Sequence, residues 1–207
     1  MRLEKASYKA IEYACMKFHY AKRLPAQPMV GFSCFNKAGE WCGVIVYNKG
    51  IGAIESPLGL PRGAACELVR VALNGKQEQT SAYVATSLRI LKKENPLLEA
   101  VVSYADTDEG HTGTIYQASN WTYVSTHRTG DKFIDPRTGK DVHSRSHSVS
   151  GVNTQFGTRK RVLKTSDLLR IKKGPKHKYV YPFSKRMKLW CAENGKPYPK
   201  KPQAQEV

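Results

Sequence analysis

The sequence predicts an α/β (α+β) fold in which a mixed central sheet is flanked by helices and followed by a basic C-terminal extension. Three observations carry this prediction. The centre of the chain alternates between strand and helix patterns, as in a core whose crossover helix packs on its sheet. Two β-prone apolar runs, joined by a loop that contains glycine, precede this centre. The 207 residues, 40% of them apolar, are sufficient for one buried core.

The first half of the chain supplies a helix and then antiparallel strands. Tyr8, Ile11, Cys15 and Phe18 recur at spacings of three or four, which predicts an amphipathic helix with Ser7 as its N-cap. The predicted elements are a helix over 4–18, strands over 29–35 and 41–47, a further strand over 51–54, a strand over 65–73 and a helix over 81–94.

The segment 101–125 combines a buried strand, an acidic loop, a short helix and a final strand. The buried strand ends at the carboxylate of Asp106, and the short helix carries Tyr116. A strand that stops at a carboxylate and precedes a tyrosine-bearing helix can build a site at its C-terminal edge. We therefore expect Asp106 and Tyr116 to converge in a cleft.

The C-terminal half is predicted to be less regular. A DPRTG turn favours a hairpin over 132–141, the Ser-, Gly- and Arg-rich stretch 143–160 indicates a mobile loop, and 165–173 favours a short helix. An aromatic strand is expected over 178–183. We expect a catalytic core over 1–128, the hairpin and basic loop over 129–161, and a basic aromatic extension over 162–207 that is disordered after about 196.

The net charge of +17 points to a polyanionic partner, and nucleic acid fits better than a membrane surface. The basic stretch 159–201 is interrupted by aromatic residues, which permits phosphate contact and base stacking, although a merely solubilising tail is the alternative. Trp121, Tyr123 or a tail aromatic could stack on a displaced base. The residues expected at nucleic acid are Lys22, Arg23, His111, Arg145, Arg159, Lys160, Arg161, Lys176 and Lys178.

Targeting signals and metal motifs are not evident in the sequence. No run of about 18 apolar residues indicates a membrane span, and the charged N-terminus has no apolar signal core, so a cytoplasmic protein is expected. The five cysteines form no CxxC pair, which suits buried thiols in a reducing compartment better than a metal or redox site. The oligomeric state is not predicted.

Five short motifs resemble the phage Mom family of DNA adenine-modifying proteins. They are FHY at 18–20, ELVR at 67–70, SYAD at 103–106, GHTGTIYQASNWTY at 110–123 and KHKYVYPF at 176–183. The layout of 101–125 is also similar to the second half of a GNAT-type acyltransferase. The resemblance implies a GNAT-like fold, transfer of a small acyl or carbamoylmethyl-type group to adenine N6 in double-stranded DNA, and a role for iron. It further implies a phage- or prophage-encoded protein, present in a bacterial host cell, that protects phage DNA from restriction.

The resemblance also assigns roles to individual residues. His19, Tyr20 and Asp106 form the implied metal constellation, while Tyr20, Asp106, Tyr116 and Ser103 form the implied catalytic set. In GNAT enzymes a tyrosine in this helix protonates the leaving group, although core packing is an alternative for Tyr116 and a turn role for Asp106. Arg70 needs a partner on an apolar strand and could bind a phosphate or a carboxylate. Its parity is opposite to that of Glu67, so the two are expected on opposite faces.

The chain departs from ordinary acetyltransferases at the turn that precedes the central helix. Those enzymes hold the pyrophosphate of acetyl-CoA on a glycine-rich turn at a helix N-terminus. Here the turn NGKQEQTSA contains one glycine, Gly75, and offers Lys76 and Ser81 as anion-binding residues with Arg70. Acetyl-CoA and an aminoacyl-tRNA therefore remain alternative donors. The competing functions are an N-acetyltransferase of a protein or small molecule, and a non-catalytic nucleic-acid-binding protein.

Overall fold

The computed structural model of the chain describes residues 1–50 and 54–200. The strands are β1 (Arg2–Lys5), β2 (Met29–Phe35), β3 (Trp41–Asn48), β4 (Ala65–Leu73), β5 (Ala100–Asp106), β6 (Thr122–His127), β7 (Lys132–Ile134), β8 (Asp141–Val142), β9 (His147–Ser148), β10 (Val152–Gln155), β11 (Thr158–Arg161), β12 (Leu163–Lys164), β13 (Leu169–Ile171) and β14 (Lys176–Pro182). The helices are α1 (Tyr8–Lys17), α2 (Thr80–Glu94), α3 (Thr114–Gln117) and α4 (Lys185–Asn194). No helix in these ranges is long and apolar enough to cross a bilayer.

A seven-stranded sheet forms the centre of the protein, with the order β1-β2-β3-β4-β5-β14-β6. The strands β4 and β5 run parallel, and α2 connects them as a crossover helix. The other neighbours in this sheet run antiparallel. The mixed sheet confirms the predicted fold class.

Helices cover both faces of this sheet, and alternating side chains of the strands show which helix lies where. Val101 packs in the cluster that contains the buried residues of α2, whereas Val102 packs with α4. Along β3, Ile45 faces the α2 side, while Val44 and Val46 pack against α1. Therefore α2 and α3 cover one face, and α1 and α4 cover the other.

Most predicted elements of the first half are confirmed. Helix α1 begins after Ser7, whose hydroxyl accepts a hydrogen bond from the Ala10 N–H at 3.2 Å. The hairpin β2–β3, the strand β4 and the helix α2 lie where the apolar periodicity placed them. Strand β1 was not predicted, because a short charged edge strand carries no apolar signal. The strand expected over 51–54 falls mostly on residues 51–53, outside the described residues.

The segment 128–175 forms an insertion between β6 and β14, and it contains more strand than the sequence indicated. The hairpin over 132–141 is confirmed by the pairing of β7 with β8. The stretch 143–160, expected as a mobile loop, instead contains β9, β10 and part of β11. The expected helix over 165–173 is a 3-10 turn followed by β13, because this segment pairs with β7 and its Arg170 forms an ion pair with Asp131.

The segment expected as a C-terminal extension contributes to the central sheet. Strand β14 lies between β5 and β6 and hydrogen-bonds to both. Tyr179 and Val180 are fully buried on opposite faces, which explains why this strand cannot lie at the surface. Helix α4 was missed because Met187 and Cys191 are its only buried residues among many charged ones. Tyr198 still donates a hydrogen bond to the Trp121 carbonyl oxygen at 2.8 Å, and residues 201–207 lie outside the described residues.

Gly113 provides a test of the packing between α3 and β14. It has a φ of +82°, and a Cβ there would overlap the ring of Tyr179. Gly113→Ala should lower the free energy of unfolding by about 2–4 kcal/mol, because left-handed strain and overpacking add. Gly110 is the matched control, since its φ is +68° and a Cβ at this position would meet no heavy atom within 4 Å.

Gly110→Ala should cost only the backbone strain, about 1–2 kcal/mol. Urea denaturation of both variants measures the difference. Equal losses for the two variants would contradict the close contact between Gly113 and Tyr179.

Candidate active site

A cleft opens where β4 and β5 separate. The two strands pair from Ala65 and Ala100 as far as Glu67 and Val102, and beyond that point they diverge. The gap leads into a cleft of about 630 Å³. Its wall includes Phe18, His19, Tyr20, Glu67, Leu68, Val69, Arg70, Gln77, Thr80, Tyr104, His111, Thr112, Gly113, Thr114, Tyr116 and Lys176. These residues come from both faces, so the cleft passes through the sheet.

A β-bulge in β4 brings two opposite charges into this cleft. Val46 pairs with Arg70, but the next residue of β3, Tyr47, pairs with Leu68, so β4 has one extra residue at Val69. The extra residue changes the alternation of the side chains. Glu67 and Arg70 consequently both line the cleft, which corrects the expectation that they lie on opposite faces.

Tyr116 and Ser103 form a buried hydroxyl pair at the point where the strands separate. Ser103 Oγ lies 2.7 Å from the Leu68 carbonyl oxygen and 2.8 Å from the Tyr116 hydroxyl. Because the carbonyl can only accept, Ser103 directs its single proton to Leu68, and the Tyr116 O–H can donate to Ser103. Burial raises the pKa of Tyr116 to about 12. The Tyr116 side chain, which lines the cleft, is therefore a protonated phenol near pH 7.

Glu67 is the carboxylate on the wall of the cleft. The pKa values of Tyr104 and Tyr116 are both raised, mainly by burial and additionally by the negative charge of Glu67. Glu67 therefore acts electrostatically on tyrosines from both sides of the sheet. From the sequence, a further metal ligand and the partner of a nearby arginine are equally good roles for Glu67, and its position on β4 does not reveal that its charge reaches Tyr104 and Tyr116.

His19 lies at the end of α1, with only 8% of its surface exposed. Its Nδ1 accepts a hydrogen bond from the Ala21 N–H at 3.1 Å. Burial, together with the positive charge of Arg70, lowers the pKa of His19 to about 4. The ring is therefore neutral near pH 7, and its single proton resides on Nε2. His19 is thus a hydrogen-bond donor in the cleft.

Three rings follow one another at the mouth of the cleft. The centroids of His19 and Tyr20 are 4.2 Å apart, and those of Tyr20 and His111 are 5.5 Å apart. Tyr20 is 41% exposed, so one part of its ring is available to a planar ligand. Trp121, expected as a stacking residue, is instead fully buried beside Tyr116, with ring centroids 5.1 Å apart.

Asp106 does not face Tyr116. One carboxylate oxygen lies 2.9 Å from Lys176 Nζ, and the other accepts a hydrogen bond from the Asp108 N–H at 3.3 Å. Asp106 and Ser103 have opposite parity on β5, so Asp106 lies on the face opposite the Tyr116 hydroxyl. Asp106 is not part of the wall, but its ion-pair partner Lys176 is, and its negative charge adds to the burial that raises the pKa of Tyr20, another wall residue.

The residues implied for iron do not fit that role in this arrangement. A metal bound at His19 Nε2 would require the proton on Nδ1, where the Ala21 N–H already donates. The Asp106 carboxylate is occupied by Lys176 and a backbone N–H. Within residues 1–50 and 54–200, no cluster of three or more His, Cys, Asp or Glu side chains could hold a metal ion. We assign no chemical step to iron.

The residues expected to bind an anionic cofactor are not brought together. Arg70 lies in the cleft, and within residues 1–50 and 54–200 its buried Nε has no hydrogen-bond partner. Its pKa is lowered by burial, so a bound anion would relieve an unfavourable charge. Ser81 is buried within α2, whereas Lys76 forms a surface ion pair with Glu40 at 3.2 Å.

The turn before α2 already uses several of its own donors. The Gly75 N–H donates to Gln77 Oε1, and the Lys76 N–H donates to Asn74 Oδ1, both at 3.0 Å. The Glu78 carboxylate accepts hydrogen bonds from the Tyr83 hydroxyl and the Lys37 N–H, which lower its pKa to about 2. A permanent negative charge thus occupies the start of the helix.

The residues expected at nucleic acid fall into two groups. Most are exposed, and these are Lys22, Arg23, His111, Arg145, Arg159, Lys160 and Arg161. Lys178 is only 6% exposed, because it lies on β14, an internal strand of the sheet, and Lys176 is held by Asp106. The alternation of lysines along β14 gave no indication that this strand is internal.

The chain is similar to proteins of known family and fold. A family profile described as the Mom protein family matches residues 1–200. Among curated proteins, no sequence matches significantly.

Three solved structures are similar in fold. NAA60 of Arabidopsis thaliana, in complex with a bisubstrate analogue, has a TM-score of 0.50 at 8% identity, over 88% of this chain and 99% of that chain. An acetyltransferase of Bacillus subtilis in complex with CoA has a TM-score of 0.48 at 12% identity, over 88% and 99%. Spermidine N-acetyltransferase SpeG of Vibrio cholerae has a TM-score of 0.46 at 8% identity, over 90% of this chain and 97% of that chain. The likeness to NAA60 shows that the fold is the GNAT fold.

The protonation state of His19 predicts a pH dependence of stability. The folded state holds His19 neutral down to about pH 4, whereas an unfolded histidine binds a proton near its ordinary pKa of 6.5. The free energy of unfolding should therefore fall as the pH drops from about 6.5 to about 4, by on the order of 1–2 kcal/mol after screening.

The difference in urea stability between the wild type and His19→Gln, measured across this pH range, isolates the contribution of His19. Val149→Ala, a non-ionisable exposed site in the insertion, is the control that should keep the wild-type slope. A wild-type slope in His19→Gln as well would show that His19 is not held neutral.

Proposed function

The chain belongs to the Mom protein family, and from that premise we propose that it is a GNAT-like transferase that modifies adenine N6 in phage DNA. The added group is a small acyl or carbamoylmethyl-type group, and the modification protects the DNA from host restriction in the bacterial cytoplasm. The observation that supports this most is the cleft through the sheet, whose wall carries Tyr116 together with the Glu67 carboxylate and the cations Arg70 and Lys176, while Ser103 holds the Tyr116 hydroxyl by a hydrogen bond.

The substrate must first leave the DNA duplex. Adenine N6 is stacked and paired, and extruding the base costs about a few kcal/mol. A cleft of about 630 Å³ has room for one purine. The exposed ring of Tyr20, supported by His19 on one side and His111 nearby, offers a stacking surface at its mouth.

The cleft also holds groups for both proton transfers of an acyl transfer. The N6 nitrogen attacks the carbonyl carbon of the donor to form an N6-acyladenine, and its N–H proton passes to the Glu67 carboxylate; a carbamoylmethyl group, which is joined to N6 through its CH2 carbon, needs a further rearrangement of this product. The bond from the acyl carbon to the leaving sulfur or oxygen breaks, and Tyr116 protonates the leaving atom. His19 Nε2–H and the Arg70 guanidinium stabilise the negative charge that develops on the carbonyl oxygen.

Asp106 has a positioning role in this proposal. Its carboxylate holds Lys176 at the wall of the cleft, 2.9 Å away, and it sits at the base of the basic insertion. Lys176 then presents a positive charge to a phosphate beside the extruded base. Iron has no place in the proposed steps.

The turn before α2 favours an aminoacyl-tRNA over acetyl-CoA as the donor. The ionised Glu78 repels a pyrophosphate, and two N–H groups of the turn are already used by side chains. We expect the purified protein to modify DNA when supplied with aminoacylated tRNA and not when supplied with acetyl-CoA, as measured by nucleoside mass spectrometry. Modification with acetyl-CoA alone would reverse this choice of donor.

Nucleoside mass spectrometry of total DNA from cells that express the chain tests the function itself. A new adenosine species is expected, and its mass identifies the added group. An N-acetyltransferase of a protein or small molecule would instead bind acetyl-CoA saturably and leave DNA unchanged. A non-catalytic protein would bind DNA without any altered nucleoside.

Tyr116→Phe should separate chemistry from folding. Removal of the phenol should lower modification by about 100-fold or more, since general acid catalysis contributes about 10²–10⁴-fold. Tyr47→Phe is the matched control, because the Tyr47 hydroxyl lies 2.6 Å from Ser87 Oγ in the core, outside the cleft. The control should lose similar stability but keep modification. A Tyr116→Phe variant that modifies DNA normally would remove Tyr116 from the mechanism.

A further inference from the structure

A basic hairpin in the insertion carries a fully exposed aromatic ring at its tip. The strands β10 and β11 pair antiparallel, with Gln155 opposite Thr158, so that Phe156 and Gly157 form the two-residue turn. Phe156 is 100% exposed. Arg159, Lys160 and Arg161 follow in β11, and all three are exposed.

The placement of this ring has no explanation in the packing of the protein. Both turn residues have positive φ, 51° for Phe156 and 77° for Gly157. Such turns favour Asn or Asp before Gly, because a bulky side chain in the left-handed region is strained. Phe156 accepts this strain and buries no surface. A strained, exposed aromatic residue is evidence for an external contact.

The cations beside the tip are available to a partner. In the insertion, Asp131 pairs with Arg170, and Asp141 with Lys132. Within the described residues, no salt bridge engages Arg159, Lys160 or Arg161. The segment 128–175 contains twelve Lys and Arg against four Asp, so its net charge of +8 is close to half of the total of +17.

The hairpin is anchored at its base and connected to the wall of the cleft. The Val162 N–H donates to the Gly151 carbonyl oxygen at 3.0 Å, and Asn153 Nδ2 donates to the Arg145 carbonyl oxygen at 3.1 Å. The insertion leaves the sheet after His127 and returns at Lys176, which pairs with both His127 and Asp106. The hairpin therefore belongs to an insertion that starts and ends beside the cleft.

We infer that this hairpin inserts Phe156 as a wedge between base pairs of duplex DNA, while Arg159, Lys160 and Arg161 hold the flanking phosphates. Apolar wedges of this kind unstack a base step and kink the duplex. The inference deepens the proposed function and rests on it, because separating a base step lowers the cost of extruding an adjacent adenine. A single ring beside a row of cations suits a wedge better than a single-strand site, which stacks successive bases on several rings.

Relaxation of closed circular plasmid by a topoisomerase, in the presence of the full chain, tests the wedge without knowledge of the target sequence. A wedge untwists the duplex, so each bound protein changes the linking number. Phe156→Ala should reduce this change about fivefold or more, while affinity at equal salt changes by less than about threefold, because phosphate contacts dominate affinity. Val149→Ala, which truncates another exposed apolar residue of the insertion, is the matched control and should behave as wild type.

A second variant tests the phosphate contacts. Neutralising Arg159, Lys160 and Arg161 to Gln should reduce the slope of log affinity against log salt concentration by about 2–3, at about 0.9 for each phosphate contact. An unchanged slope would overturn the assignment of these three cations to phosphates.

The outcomes separate the wedge from the proposed function. Equal linking-number changes for wild type and Phe156→Ala would overturn the wedge alone, and so would a Phe156→Ala defect seen with tRNA but not with duplex DNA. A wild type that untwists DNA without any modified nucleoside would overturn the proposed function and support the wedge. A wild type that does not bind duplex DNA would overturn both.

Discussion

The structure depends on the separation of two parallel strands that remain linked by one side chain. Beyond Glu67 and Val102, β4 and β5 no longer share backbone hydrogen bonds, and exposed donors and acceptors in the middle of a sheet are costly. Ser103 satisfies one of them, the Leu68 carbonyl, at 2.7 Å. The same hydroxyl fixes the phenol of Tyr116 at 2.8 Å. The feature that keeps the sheet intact thus also positions the acid that we propose for the reaction.

Burial determines the charge states in this cleft more than ion pairing does. The low dielectric raises the pKa of Tyr116 and lowers that of His19, because the neutral form of each side chain avoids an unpaired buried charge. Arg70 cannot readily lose its proton, so it remains a cation whose buried Nε lacks a hydrogen-bond partner in the part of the chain that the structure describes. A cleft with two neutral donors and one under-solvated cation favours an oxygen on which negative charge develops, as on the carbonyl of an acyl donor.

The sequence predicted the central elements well and the side-chain geometry less well. Apolar periodicity placed α1, β2, β3, β4 and α2, because each buries one regular face. It could not show the bulge at Val69, which depends on pairing with Tyr47 and brings Glu67 and Arg70 together. The lysines of β14 made this internal strand look like a surface strand. In the structure Asp106 neutralises Lys176, and Lys178 is buried in the sheet. The predicted convergence of Asp106 with Tyr116 fails for a related reason. Ser103 on β5 contacts the Tyr116 hydroxyl, whereas Asp106, three residues further along the same strand, points to the opposite face of the sheet.

The distribution of charge explains why the insertion and the core would have separate tasks in the proposed reaction. The core needs its few charges close together and shielded, since acid–base groups work best where water is excluded. A phosphate-binding surface needs the opposite, namely exposed cations that release counterions. Placing the net charge of +8 in 128–175, and joining that segment to the sheet at Lys176, satisfies both conditions. Lys176 lies on the boundary between the core and the insertion, because it lines the cleft and is also the first residue of β14, the strand that returns from the insertion.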